Sequence, residues 1–140
     1  MERPSRTCST TGPADVAKIL LVDDEEAVRT FLRRGLELDG HVITVAVDGS
    51  DAMDRLNETG GAFDLVLTDI RMPVMDGIAL ALAAKRDYPE LTVMLMTGYA
   101  DQRERARNLD TIVADVLTKP FSLAELRAGV AAVLERRAAS

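Results

Sequence analysis

The chain has 140 residues, 17 basic and 23 acidic side chains, a formal net charge of −6 and 47% hydrophobic residues. That length fits one domain, the apolar fraction supports one core, and the acidic balance is a poor match for nucleic-acid phosphates or anionic membranes. Cys8 is the single cysteine and cannot close an internal disulfide. No apolar signal segment follows Met1, and the longest apolar run, residues 78–84, is far too short to span a bilayer. A membrane protein, a secreted scaffold and a nucleic-acid binder are thereby disfavoured, and a cytoplasmic setting is expected.

Residues 1–16 are rich in Pro, Ser and Thr without apolar periodicity and read as a loosely ordered tail, with Cys8 an incidental thiol within it. Lys18 to Val22 is a short branched run of buried-strand length. Val28, Phe31, Leu32 and Leu36 then recur at helical spacing, and Asp39-Gly40 supplies the stop. His41 to Val47 is a second strand, and Asp48-Gly49-Ser50 opens a short helix carrying Ala52, Met53 and Leu56. Gly60-Gly61 breaks the chain before a third strand, Asp64 to Thr68.

Asp76-Gly77 precedes an Ala- and Leu-rich helix that Pro89 ends. Thr92 to Met96 is the fourth strand, with Met94 and Met96 as core residues, and Val113 to Thr118 the fifth. Residues 101–108 between them are charged and only weakly periodic, a poor helix by pattern. Ser122-Leu-Ala-Glu125 is a capping box, with Phe121 and Leu126 placed as a hydrophobic staple. Leu126, Val130, Val133 and Leu134 supply the buried stripe of the last helix. The expected folded unit runs over 17–137, with 138–140 as a short C-terminal end.

Strands alternating with five helical stretches imply an α/β fold with a parallel sheet. Ligands of such sheets bind beyond the carboxyl ends of the strands. The residues at those ends are Asp23-Asp24, Asp48, Asp69, Thr97 and Lys119. Taken singly, each has a bland explanation: helix-start acids, a loop acid, a turn former, a solvated lysine. Together at one rim they are harder to dismiss. Close carboxylates raise one another's pKa unless a cation neutralises them. A hard divalent ion with oxygen ligands is the natural remedy, and Mg²⁺ retains waters that leave room for a phosphate oxygen. A lysine and a hydroxyl opposite would orient the remaining oxygens, which points to phosphoryl transfer at a carboxylate.

The segments 18–25 (KILLVDDE), 64–77 (DLVLTDIRMPVMDG), 94–100 (MLMTGYA) and 117–121 (LTKPF) resemble the receiver domain of two-component response regulators. The resemblance covers about residues 18–135 and implies a doubly wound, CheY-like (βα)5 fold of flavodoxin-like class, with strand order 2-1-3-4-5. It implies that Asp69 accepts a phosphoryl group from a phosphohistidine of a sensor histidine kinase or a histidine phosphotransfer protein. It further implies Mg²⁺ (or Mn²⁺) held by Asp23, Asp24, Asp69 and the Arg71 backbone carbonyl, with Asp23 acting mainly through water. Thr97 and Lys119 would engage phosphate oxygens, and Lys119-Pro120 would be cis. Arg71 and Tyr99 would tune the lifetime of the phosphoryl group, and Pro73, Gly77 and Pro120 would shape the loops.

Departures from the family pattern are also visible. Many members carry an aromatic three residues before the site lysine; here that position is Val116, with Tyr99 a candidate substitute. Residues 101–110 are highly charged, and Leu109 to Ala114 replaces a glycine-bearing turn. His41 reads as structural or exposed. On these readings the chain is a phosphorylation-controlled protein-binding module rather than an enzyme, expected to stand alone and to signal to an unknown downstream protein. A receiver segment of a hybrid sensor kinase or of a longer regulator is the alternative. A haloacid dehalogenase-like phosphatase or phosphotransferase would carry Asp-x-Asp after the first strand and a substrate cap. A flavodoxin-like cofactor binder would carry a Ser/Thr/Gly-rich loop where Asp23-Asp24-Glu25 stands.

Overall fold

In a computed structural model of the chain, residues 16–98 and 112–139 are described. The strands are β1 (Lys18–Val22), β2 (Val42–Ala46), β3 (Leu65–Asp69), β4 (Val93–Thr97) and β5 (Asp115–Thr118). The helices among the described residues are α1 (Glu26–Glu37), α2 (Gly49–Thr59), α3 (Gly77–Asp87) and α4 (Leu123–Ala139). All strand pairings are parallel, in the order β2-β1-β3-β4-β5. The expected tail and the charged stretch 101–108 lie outside the described residues, apart from Val16, which is exposed.

The central strands are apolar on both faces because helices cover both. In β1, Leu20 and Val22 join a cluster with Ala52 and Leu56 of α2 and Leu80, Ala81 and Ala84 of α3. Ile19 and Leu21 join the opposite cluster, with Leu32 and Leu36 of α1 and Leu126, Val130 and Val133 of α4. Val66 and Leu95 follow the first pair, while Leu65, Leu67, Met94 and Met96 follow the second. Each fully buried aliphatic side chain contributes about 1.5–3 kcal/mol.

The ends of the helices follow local chemistry. Asp48 caps α2 by accepting from the Asp51 N–H at 2.8 Å, and Gly60 closes it in the left-handed conformation at φ 66°. Asp76 caps α3 by accepting from the Ala79 N–H at 2.8 Å. The capping box of α4 is reciprocal: Ser122 N–H donates to Glu125 Oε1 at 2.7 Å, and Glu125 N–H donates to Ser122 Oγ at 3.0 Å. That helix runs to Ala139, two residues past the expected end at Arg137. Its Arg137 donates to Asp64 Oδ1 at 2.9 Å, which ties its last turn to the chain entering β3. By contrast Glu25, at the N-cap of α1, makes no side-chain cap.

His41 is buried and structural: its Nδ1 accepts the Ala17 N–H at 3.0 Å. The α1 stripe is only partly buried. Leu32 and Leu36 are inside, whereas Phe31 is 46% exposed and lines a surface cleft.

Candidate functional site

Beyond the carboxyl ends of β1, β3 and β5 the chain gathers its ionisable groups. The Asp23 N–H donates to Ala46 O at 3.2 Å, which carries the β1–β2 ladder one step past the strand and turns the carboxylate inward. That side chain is 0% exposed. Its Oδ1 accepts the Glu25 N–H at 2.9 Å, while Oδ2 has no hydrogen-bond partner. Asp24, the next residue, is exposed.

Asp69 is the last residue of β3, and its Oδ1 accepts the Ile70 N–H at 3.0 Å. One oxygen each from Asp23, Asp24 and Asp69 lies within 4.8 Å of the others. Lys119 Nζ stands 3.4 Å from Asp69 Oδ1 and 3.8 Å from Asp23 Oδ2.

Burial is the main cause that pushes the Asp23 carboxyl up to about 6, with the neighbouring Asp69 and Asp24 charges adding to it. The Glu25 N–H and Lys119 oppose the rise. Asp69 is raised as well, again chiefly by burial, against the pull of Lys119 and the Ile70 N–H. An oxygen-only donor set with one buried carboxylate oxygen that accepts no hydrogen bond fits a hard divalent cation such as Mg²⁺. The residues that would hold it are Asp23, Asp24 and Asp69.

The rest of the rim is assembled by backbone. The Lys119 N–H donates to Thr97 O at 2.7 Å, and the β4–β5 register pairs Thr97 with Thr118. Thr97 is buried at the end of β4. The Lys119–Pro120 peptide is cis. After Asp69 the chain turns through Pro73 and re-enters a helix at Gly77, whose N–H donates to Ile70 O at 2.8 Å. A Cβ on Gly77 would collide with the Asp69 carbonyl oxygen, so the helix start can approach the strand this closely only with glycine. Val74 in the same loop is left-handed at φ 71° and 83% exposed.

A cleft of about 800 Å³ opens onto this rim. Its lining combines the charged Asp24, Asp69, Arg71 and Lys119 with the apolar Val28, Phe31, Pro120 and Phe121. Of the rim residues singled out in the sequence, Asp23, Asp24, Asp69 and Lys119 converge, with Thr97 joined through the Lys119 backbone. Asp48 is occupied by its helix cap, and Tyr99 lies outside the described residues. Val116 is half-buried against the cluster beneath α2 and α3. Sequence reasoning passed over Arg29, which donates from Nη1 to the Asp23 carbonyl at 2.6 Å. The only sign of it is a cation one turn into the helix that follows the acidic loop.

A five-stranded parallel sheet of order 2-1-3-4-5 with an acidic rim at its carboxyl end defines a receiver module of the response-regulator class. The family model described as the response regulator receiver domain matches residues 19–131, and the chain belongs to that family. The transcriptional regulatory protein PrrA of Mycobacterium leprae is 37% identical over 123 residues, covering 88% of this chain and 52% of that protein. The sensor kinase CckA of Brucella abortus is 37% identical over 122 residues, covering 86% of this chain and 13% of that protein. A crystal structure of a response regulator receiver domain protein from Clostridium thermocellum superposes with a TM-score of 0.80 at 25% identity, covering 88% of this chain and 98% of that one. The chain thus spans about half the length of PrrA.

Proposed function

We propose that this receiver domain takes a phosphoryl group onto the Asp69 carboxylate from a phosphohistidine of a sensor histidine kinase or phosphotransfer protein, and signals through protein contacts that depend on that modification. The observation that carries the reading is the meeting of Asp23, Asp24 and Asp69 within 4.8 Å, with Lys119 Nζ 3.4 Å from Asp69. An Asp69 oxygen attacks phosphorus in line as the P–N bond breaks, and the electron pair leaves with the donor imidazole. The product is an aspartyl phosphate. Lys119 neutralises charge on an equatorial oxygen, and Thr97, at the adjacent strand end, offers a hydroxyl for another. Mg²⁺ (or Mn²⁺), when bound, supplies Lewis-acid neutralisation of the transferring group.

The Ile70 N–H and Lys119 hold the Asp69 carboxylate in place for attack. The chain's own chemistry in this reading is limited to gaining and losing that group, with Arg71 and Tyr99 controlling access of water. The same module serves within a longer regulator or a sensor kinase, as the matches to PrrA and CckA illustrate. Intact-mass measurement after incubation with Mg²⁺ and a small acyl-phosphate donor tests it. One phosphoryl adduct that disappears in Asp69→Asn is expected. No adduct, or one that survives the substitution, would overturn the assignment.

A further inference from the structure

The loop that carries Asp23 and Asp24 is held at three points of one residue. Asp23 is fixed through its N–H to Ala46 O, its Oδ1 to the Glu25 N–H, and its carbonyl to the Arg29 guanidinium at 2.6 Å. The helix that follows has no side-chain cap at Glu25. Arg29 is therefore the side chain that ties α1 back to the loop, through a charge-assisted bond of the short, strong kind.

The loop also carries opposing stress. Asp23, Asp24 and Asp69 each place an oxygen within 4.8 Å of the others. Lys119, at 3.4 Å from Asp69 and 3.8 Å from Asp23, is one positive charge against three carboxylates, so without a metal ion the remaining repulsion favours opening. The guanidinium grips the backbone rather than a carboxylate. It holds the geometry without engaging the carboxylate, whose Oδ2 accepts no hydrogen bond.

We propose that Arg29 is a positioning residue that preorganises the Asp23-Asp24 loop for divalent-cation binding by clamping the Asp23 carbonyl. The proposal rests on the reading of the rim as a Mg²⁺ site. Partners that orient metal ligands typically change affinity by about 10–100-fold when removed. Arg29 acts through the backbone, which places its effect near the lower end of that range.

The test compares Arg29→Met, which keeps an aliphatic stem and removes the donors, with Arg33→Met. Arg33 lies on the exposed side of the same helix, so the control carries the same change of net charge. Mg²⁺ affinity is read by titration of backbone amide NMR shifts, and hydrogen exchange at the Glu25 amide is followed in metal-free protein. Arg29→Met should weaken Mg²⁺ about tenfold and speed exchange at Glu25. Arg33→Met should change neither by more than about twofold, and Arg29→Lys, which retains a cationic donor, should recover much of the affinity. If Arg29→Met does not fold, Arg29→Ala is held to the same two outcomes. Wild-type affinity in the variant overturns the Arg29 assignment alone. Absence of Mg²⁺ binding by the unsubstituted chain overturns the reading of the rim itself, and the Arg29 proposal with it.

Discussion

Replacing Asp23 by asparagine should stabilise the metal-free protein at neutral pH. The side chain is fully buried, and its carboxyl is pushed from an ordinary 3.8 to about 6, mainly by that burial. Above pH 6 folding must therefore bury a carboxylate that is already charged in the unfolded chain, and each pH unit between the two values corresponds to about 1.4 kcal/mol. The full interval comes to about 3 kcal/mol. Solvent reaching the rim beside exposed Asp24 screens part of this, leaving roughly 1–3 kcal/mol. Asparagine keeps the shape and an oxygen for the Glu25 N–H. For a chain of this size 1 kcal/mol moves the thermal midpoint by roughly 3–5 °C. Because the folded pKa is raised, the stabilising contribution of protonated Asp23 is complete below about 4 and is lost as pH rises through 6. Thermal unfolding in EDTA should consequently show the variant well above the wild type at pH 7.5 and the two converging toward pH 4.5. Added Mg²⁺ should stabilise the wild type far more than the variant. An unchanged or lower midpoint for the variant at pH 7.5 would refute the electrostatic account.

Val74→Asn should raise stability by about 1 kcal/mol in urea melts, since a β-branched residue at φ 71° is strained and asparagine tolerates that conformation. Gly77→Ala should lower stability by about 1–3 kcal/mol and slow phosphoryl uptake in a mass-spectrometric time course, because the new methyl displaces the Asp69 backbone. His41 is pulled below its ordinary 6.5, chiefly by burial, with Asp39 and Asp64 opposing. Its stabilising contribution is therefore present above 6.5 and lost as pH falls through the lowered value. Urea midpoints measured in an Asp23→Asn background should decline on acidification. His41→Asn, which offers the Ala17 N–H an acceptor that does not titrate, should remove much of that decline.

Where local chemistry and tertiary packing demand the same residue, sequence and structure coincide. β1 spans Lys18–Val22 as its apolar run indicates, and the Ser122–Glu125 box caps α4. The rim was legible because parallel strands deliver their end residues to one side, which put Asp23, Asp24, Asp69 and Lys119 together. Other features leave little trace in a string of letters. Phe31 belongs to the same apolar pattern as Leu32 but stands at the cleft, where no other element among the described residues covers it. Asp48 occupies a strand end like the others, yet its carboxylate accepts an N–H at the start of α2. Arg29 on a helix reads as a solvated charge until the fold brings the Asp23 carbonyl beneath it. The strain at Val74 arises from how β3 must connect to α3, which no propensity of valine announces.

β3 sends Leu65 and Leu67 to one core and Val66 to the other before ending at Asp69. Losing a single residue from this strand would exchange the two faces and rotate Asp69 away from Asp23 and Lys119. Chemically conservative replacements within it disturb only local volume. The strand therefore acts as a ruler as much as a wall, and a gene encoding it can absorb an altered codon more readily than a missing one.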